Sequence, residues 1–310
     1  MTTALRFHGI CKTFSSLRKE TVALDNLSFE IPTGRICGFV GPNGAGKTTA
    51  FSVVSGFVQP DAGEMELLGL QGFDPYVLKG RLGVLPQDAE LSLRHTPRQM
   101  LDHLGRLQGL SAGDAQREAD RLLEIVNLGD RRHDRIGALS HGMRRRVAVA
   151  TALIGNPELV LLDEPLAGLD PTQALALRSF LTELRGIQTL VISSHNLNDL
   201  ERMCDWVVML DHGRCVAQGT MAEITQTEAT SVWTLSTSEF DLEALRAASP
   251  ETDISQKGAT VSIRTRGSLD AASIAVMKAL AEQEIAVREV RPGVGLEQRF
   301  IDETRDSKLA

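Results

Sequence analysis

The chain has 310 residues, 42% of them hydrophobic, which is enough for one large domain with its own core and a smaller one. Acidic residues outnumber basic ones, 40 to 33, for a formal net charge of -7, which argues against the basic face that nucleic acids or anionic membranes require. Cys11, Cys37, Cys204 and Cys215 form neither a CxxC pair nor a Cys/His metal spacing, so reduced, mostly packed thiols are expected, as in a reducing cytoplasm.

In chain order, Met1 to Ile10 alternates and carries an early charge, so it lacks the apolar core of a secretion signal and predicts a strand. Leu5, Phe7 and Ile10, then Leu27, Phe29 and Ile31, predict two short antiparallel strands separated by a polar stretch from Ser15 to Thr21. Ile36 to Val40 is a continuous apolar run followed by glycines and a helical pattern, as for a parallel strand covered on both faces. From Thr96 to Gly155 the pattern is helical. Thr96 is the expected cap, Pro97 the first helical residue, and Met100, Leu101, Leu104 and Leu107 share one face. A second helix is expected from Asp114 to Asn127. Strand character returns at Leu159 to Leu162, Thr189 to Ile192 and Trp206 to Leu210.

Thr220 and Glu223 are spaced as a capping box opening a short helix, and polar composition from Thr225 to Ser231 marks a domain boundary. Beyond it the alternation predicts a βαββαβ domain, and Leu296, Phe300 and Ile301 belong to a final helix. The expected architecture is α/β: a domain over 1–225 with a helical insertion at about 96–155, and a small domain over 226–310. No window approaches the ~20 apolar residues that span a bilayer.

Gly41-Pro42-Asn43-Gly44-Ala45-Gly46-Lys47-Thr48-Thr49 satisfies GxxxxGK[ST] between a buried strand and a helix. Such a loop turns backbone N–H groups around phosphate oxygens and adds the positive end of a helix dipole. Lys47 supplies a point charge for the β and γ phosphates, and Thr48 a hydroxyl for Mg²⁺. Leu159 to Leu162 lead into Asp163 and Glu164, so an apolar strand ends in two carboxylates. Asp163 is a candidate to hold Mg²⁺ and Glu164 to face the attacking water. Without a cation, two adjacent acids beside phosphates would be costly.

Leu139-Ser140-His141-Gly142-Met143-Arg144-Arg145-Arg146 lies shortly before that strand. With the P-loop and the paired acids, it makes the chain similar to the ATP-binding cassette (ABC) ATPases from about Leu5 to Ile224. That resemblance implies the P-loop NTPase fold of ABC type, with a parallel sheet core, an antiparallel β subdomain and a helical subdomain. It implies ATP and Mg²⁺ as ligands. It also implies that Ser140 and Gly142 of one cassette cap the γ phosphate held by the P-loop of another, so that two copies close on ATP as a homodimer.

Gln87 then resembles the glutamine that reaches the Mg²⁺ and water region, Asp170 in Ala167-Gly168-Leu169-Asp170 the residue that meets the opposite subunit, and His195 the switch histidine of the γ phosphate. Phe14 is the corresponding candidate to stack on adenine. His141 and Met143 depart from the usual Gly and Gln. Met143 with the three arginines resembles the drug-exporter, ABC-2 type branch. Arg144 to Arg146 are either a solvated helix face or added positive potential near the phosphates.

One cassette without membrane spans implies an ATPase that exports a substrate through separate integral membrane subunits, held peripherally at the inner face of the cell membrane. No nucleic-acid partner is expected. The alternatives are an amino-acid-type importer cassette and a soluble ABC ATPase outside transport.

Overall fold

Two long strands open the computed structural model, which describes residues 2–16, 19–225, 229–265, 269–292, 296 and 299–301. β1 (Thr3–Ser16) and β2 (Lys19–Pro32) pair antiparallel, with Leu5 opposite Ile31 and Phe7 opposite Phe29. The polar stretch that the sequence assigns to a connection is mostly strand, since Phe14 pairs with Thr21 and Ser16 with Lys19. The end of a hairpin that leaves the core can be polar on both faces and keep its backbone ladder, so composition alone hides it.

β3 (Ile36–Val40) follows, buried at every position, then α1 (Lys47–Val54), β4 (Ala62–Leu67) and β5 (Leu70–Gln71). The antiparallel sheet has the order β2-β1-β4-β5. A row of rings, Phe7, Phe29, Phe39 and Phe51, runs from that sheet through β3 to α1 with centroids 4.8, 5.4 and 5.5 Å apart. Each ring contributes about 1.5–3 kcal/mol by burial, so the phosphate-loop elements share their core with the antiparallel sheet.

β6 (Leu82–Leu85) leads into the helical segment. In α2 (Pro97–Leu107) the Thr96 hydroxyl accepts from the Gln99 amide at 3.2 Å, and the Gln99 side chain accepts from the Thr96 amide at 3.0 Å. These two bonds satisfy helix-end donors reciprocally. α3 (Ala112–Ile125) and α4 (His141–Ala152) complete the segment. β7 (Leu159–Asp163), α5 (Pro171–Glu183), β8 (Thr189–Ser193), α6 (Leu197–Met203), β9 (Trp206–Asp211) and β10 (Arg214–Thr220) close the first unit. Its second sheet has the order β10-β9-β3-β8-β7-β6, with parallel pairing from β6 through β9. β3, β7 and β8 are buried along their whole length, as expected where helices cover both faces.

The chain divides into two compact units, Met1–Gly219 and Thr220–Ala310. The second begins with α7 (Met221–Thr225), opened by the Thr220–Glu223 capping box: the Glu223 amide donates to the Thr220 hydroxyl at 3.1 Å, and the Thr220 amide to Glu223 at 2.8 Å. β11 (Ala229–Leu235), α8 (Leu242–Ala248), β12 (Thr252–Lys257), β13 (Thr260–Thr265), α9 (Leu269–Glu282) and β14 (Val287–Pro292) follow in βαββαβ order. Their antiparallel sheet, β12-β13-β11-β14, forms a separate core with α8 and α9 around Trp233, Ile263, Val276 and Leu280. Of the expected final helix, Leu296 and residues 299–301 are described and helical. Among the described residues no helix is long and apolar enough to cross a membrane.

Candidate functional site

The loop from Gly41 to Gly46 joins the end of β3 to α1 at the rim of the parallel sheet. Its shape is set by neighbours. The Ala45 amide donates to the Pro42 carbonyl at 3.1 Å, and the Gly213 amide, from the turn between β9 and β10, donates to the Ala45 carbonyl at 3.0 Å. Gly46 has φ 101, and a Cβ there would lie 2.6 Å from the Ala23 carbonyl oxygen and 2.9 Å from Leu24 Cδ2 of β2. The loop is thus pressed against the hairpin that carries Phe14.

Side chains cap α2, α3, α4, α5 and α8, whereas α1 has glycine at the cap and no side-chain cap bond. The first-turn amides of a helix have no intrahelical partner, so those of Lys47, Thr48 and Thr49 are suited to an anion. Lys47 Nζ donates to the carbonyls of Gly41 and Pro42 at 2.5 and 3.1 Å. Burial lowers its pKa, against the opposing influence of Glu164 and then Asp163. A phosphate would replace those carbonyls as partner and relieve the cost of a half-buried cation.

Asp163, at the end of β7, is only 4% exposed, and its register partner in β8 is Ser193. The Ser193 hydroxyl donates to Asp163 Oδ1 and accepts from the Glu164 amide at 3.1 Å. Glu164 has φ 52, in the left-handed region. His195 Nδ1 lies 2.9 Å from Glu164 Oε2. With a carboxylate at 164, the proton sits on Nδ1 and is donated, leaving Nε2 as the ring's second polar atom. The hydroxyl of Thr48, the amide oxygen of Gln87 and the carboxylate of Asp163 are hard oxygen donors, a set whose chemistry fits Mg²⁺.

Ser140 caps α4, its oxygen accepting from the Met143 amide at 3.2 Å. The cap uses a lone pair, so the hydroxyl proton remains for an anion. Gly142 is buried, and a Cβ there would meet Gln173 Oε1 at 2.6 Å and Leu169 Cδ2 at 3.3 Å. The His141 ring covers Gly168, where a Cβ would lie 2.6 Å from Cε1. The turn over 140–143 and the loop over 167–170 therefore interlock. Asp170 caps α5, accepting from the Gln173 amide at 2.9 Å. Phe14 is 45% exposed, with Lys12 Nζ 5.7 Å from its ring centroid.

Two of the three arginines are not a solvated face. Arg145 donates to the carbonyls of Asp163, Glu164 (2.8 Å) and Gln87 (3.3 Å). Arg146 is 8% exposed and donates to the carbonyls of Val126 and Asn127 at 2.7 and 2.9 Å. Burial lowers the pKa of both. A long side chain with several N–H donors can reach backbone carbonyls of more than one neighbouring segment. Sequence reasoning passed over Ser193 as a site residue. Its signal is a hydroxyl ending an apolar strand, as Asp163 ends the neighbouring one.

The ABC transporter family profile matches residues 24–167. The chain is 34% identical over 235 residues to the uncharacterized ABC transporter ATP-binding protein YxlF of Bacillus subtilis (strain 168), covering 76% of this chain and 77% of that one. It is 35% identical over 226 residues to the Nod factor export ATP-binding protein I of Ralstonia nicotianae, covering 72% and 69%. It is 37% identical over 224 residues to the daunorubicin resistance ATP-binding protein DrrA3 of Streptomyces coeruleorubidus, covering 72% and 70%. Among solved structures, an ATP-binding subunit of an ABC transporter superposes with TM-score 0.63 at 27% identity, over 71% of this chain and 91% of that one. A dimeric ATP-binding cassette bound to ADP and Pi gives TM-score 0.65 at 22% identity, over 70% and 98%. With a phosphate loop, a paired-carboxylate strand end and a serine-capped α4 on one sheet rim, the chain belongs to the ABC transporter ATP-binding proteins and is an ATP-binding cassette ATPase.

Proposed function

We propose that this ATPase drives export through separate integral membrane subunits, pairing with a second cassette when Mg²⁺ and ATP are bound. The contact of 2.9 Å between His195 Nδ1 and Glu164 Oε2, beside the buried Asp163, carries the catalytic part of the reading. Support for export comes from relatives named for Nod factor export and daunorubicin resistance, which align over 72% of the chain.

In this reading the loop over Gly41–Thr49, through its free backbone N–H groups and above all the first-turn amides of Lys47, Thr48 and Thr49, binds the phosphates together with the Lys47 ammonium, and Phe14 stacks on adenine. Thr48, Gln87 and Asp163 would hold Mg²⁺, which neutralises charge shared by the β and γ phosphate oxygens. Glu164 takes a proton from the attacking water, with its carboxylate oriented by His195. The left-handed backbone and the Ser193 bonds fix Glu164 before substrate arrives, so less ordering is needed at the reaction step. The Ser140 hydroxyl and the Gly142 amide cap the γ phosphate on a second copy, with Asp170 at the same interface. The membrane subunits hold the cassette at the inner face of the cell membrane.

Glu164→Gln keeps the shape and removes the base, so it should bind ATP as the parent does and accumulate as a closed dimer with hydrolysis nearly abolished. Parental turnover in that variant would remove Glu164 from its role. Affinity purification from membranes should recover a polytopic membrane protein. Recovery with ribosomes, or tight binding of a free amino acid by the second unit, would overturn export.

A further inference from the structure

We infer that Arg145 is a positioning residue for Glu164, fastening α4 to the peptide that carries the carboxylate, an assignment that rests on the reading of Glu164 as the base. Glu164 sits at φ 52, where a residue with a side chain is held only by its surroundings. Its peptide groups are gripped on both sides. The amide donates to the carbonyl and the hydroxyl of Ser193, at 3.2 and 3.1 Å. The carbonyl accepts from Arg145 Nη2 at 2.8 Å.

The same nitrogen donates to the Asp163 carbonyl, and Nη1 donates to the Gln87 carbonyl at 3.3 Å. A guanidinium has five N–H donors in one plane, so one side chain can span carbonyls from two chain segments. The arrangement has a cost. Arg145 Nε is buried without a hydrogen-bond partner, and burial disfavours the charge. Arg146 points its donors elsewhere, to the carbonyls of Val126 and Asn127 just after α3. Adjacent arginines thus anchor α4 to two different places, the helical segment and the carboxylate strand end. Ser140 and Gly142 open that same helix, so a displacement of α4 would move the Glu164 peptide with it.

The test uses steady-state ATPase kinetics on the full chain. Arg145→Met should lower kcat by about 10- to 100-fold while KM for ATP changes by less than about threefold, because binding groups stay and the base is misplaced. Arg145→Gln, which keeps an N–H donor, should recover part of kcat. Glu164→Asp shifts the carboxylate by one methylene, so combining it with Arg145→Met should give a loss smaller than the product of the single losses. If Arg145→Met does not fold, by circular dichroism and thermal melting, Arg145→Gln takes its place in both comparisons. Parental kcat in the Arg145 variants, a loss confined to KM, or effects that multiply with Glu164→Asp would overturn the assignment. Failure of the Glu164 reading shows separately, as parental turnover in Glu164→Gln alone.

Discussion

Alanine at two glycines of the phosphate loop should separate backbone strain from steric overlap. Both Gly44 and Gly46 lie in left-handed territory, at φ 83 and 101. A methyl at Gly44 meets nothing within 4 Å, whereas one at Gly46 lies 2.6 Å from the Ala23 carbonyl oxygen and 2.9 Å from Leu24 Cδ2. Left-handed backbone costs an L residue about 1–2 kcal/mol, and that is the whole expected cost of Gly44→Ala. Overpacking adds about 1–3 kcal/mol for Gly46→Ala, since a carbonyl held in β2 cannot swing aside as a side chain can. For a unit the size of Met1–Gly219, roughly 2–4 °C per kcal/mol applies. Gly44→Ala should therefore lower the melting temperature of the first unit by roughly 2–8 °C and Gly46→Ala by roughly 4–20 °C. Differential scanning calorimetry of the full chain, with a matched urea titration, reads both. Equal losses, or a larger one at Gly44, would refute the claim that contact with β2 shapes the loop.

Ser193→Ala removes the donor to Asp163 and one of the two acceptors for the Glu164 amide, so it should destabilise the first unit by about 1–3 kcal/mol and lower kcat more than it raises KM; unchanged turnover would dismiss Ser193 from the site. His141→Gly should leave turnover within about twofold, because the ring rests on Gly168 at an exposed position; a much faster variant would show that the imidazole hampers the turn. Burial lowers the Lys47 pKa, so the unfolded chain holds that proton more tightly, and the unfavourable contribution is present below the folded pKa and lifts as pH rises through it. If Lys47 binds the phosphates as proposed, ATP uses its charged form and the affinity should fall with rising pH, beginning below the usual lysine value of 10.5; a fluorescent ATP analogue that binds equally well up to that value would contradict this.

Legibility in the sequence follows how local each feature is. The phosphate loop can be read because consecutive residues carry it: the glycine conformations, the helix start and Lys47 all lie within Gly41–Thr49. The Thr96 and Thr220 caps are legible for the same reason, as each closes over three residues. The polar end of the first hairpin is not legible because a backbone ladder holds it together, and that leaves no trace in composition. The pairing of Asp163 with Ser193 depends on the parallel register of β7 and β8 across 30 residues, and a register one residue out would turn Ser193 to the other face. Arg145 is harder still. Its partners are carbonyls, which every residue has, so nothing at positions 87, 163 or 164 distinguishes an arginine that holds them from one that faces water. Motifs thus reveal the groups proposed to bind phosphate, while the groups that hold those motifs in place emerge only once the sheet register and the helix packing are known.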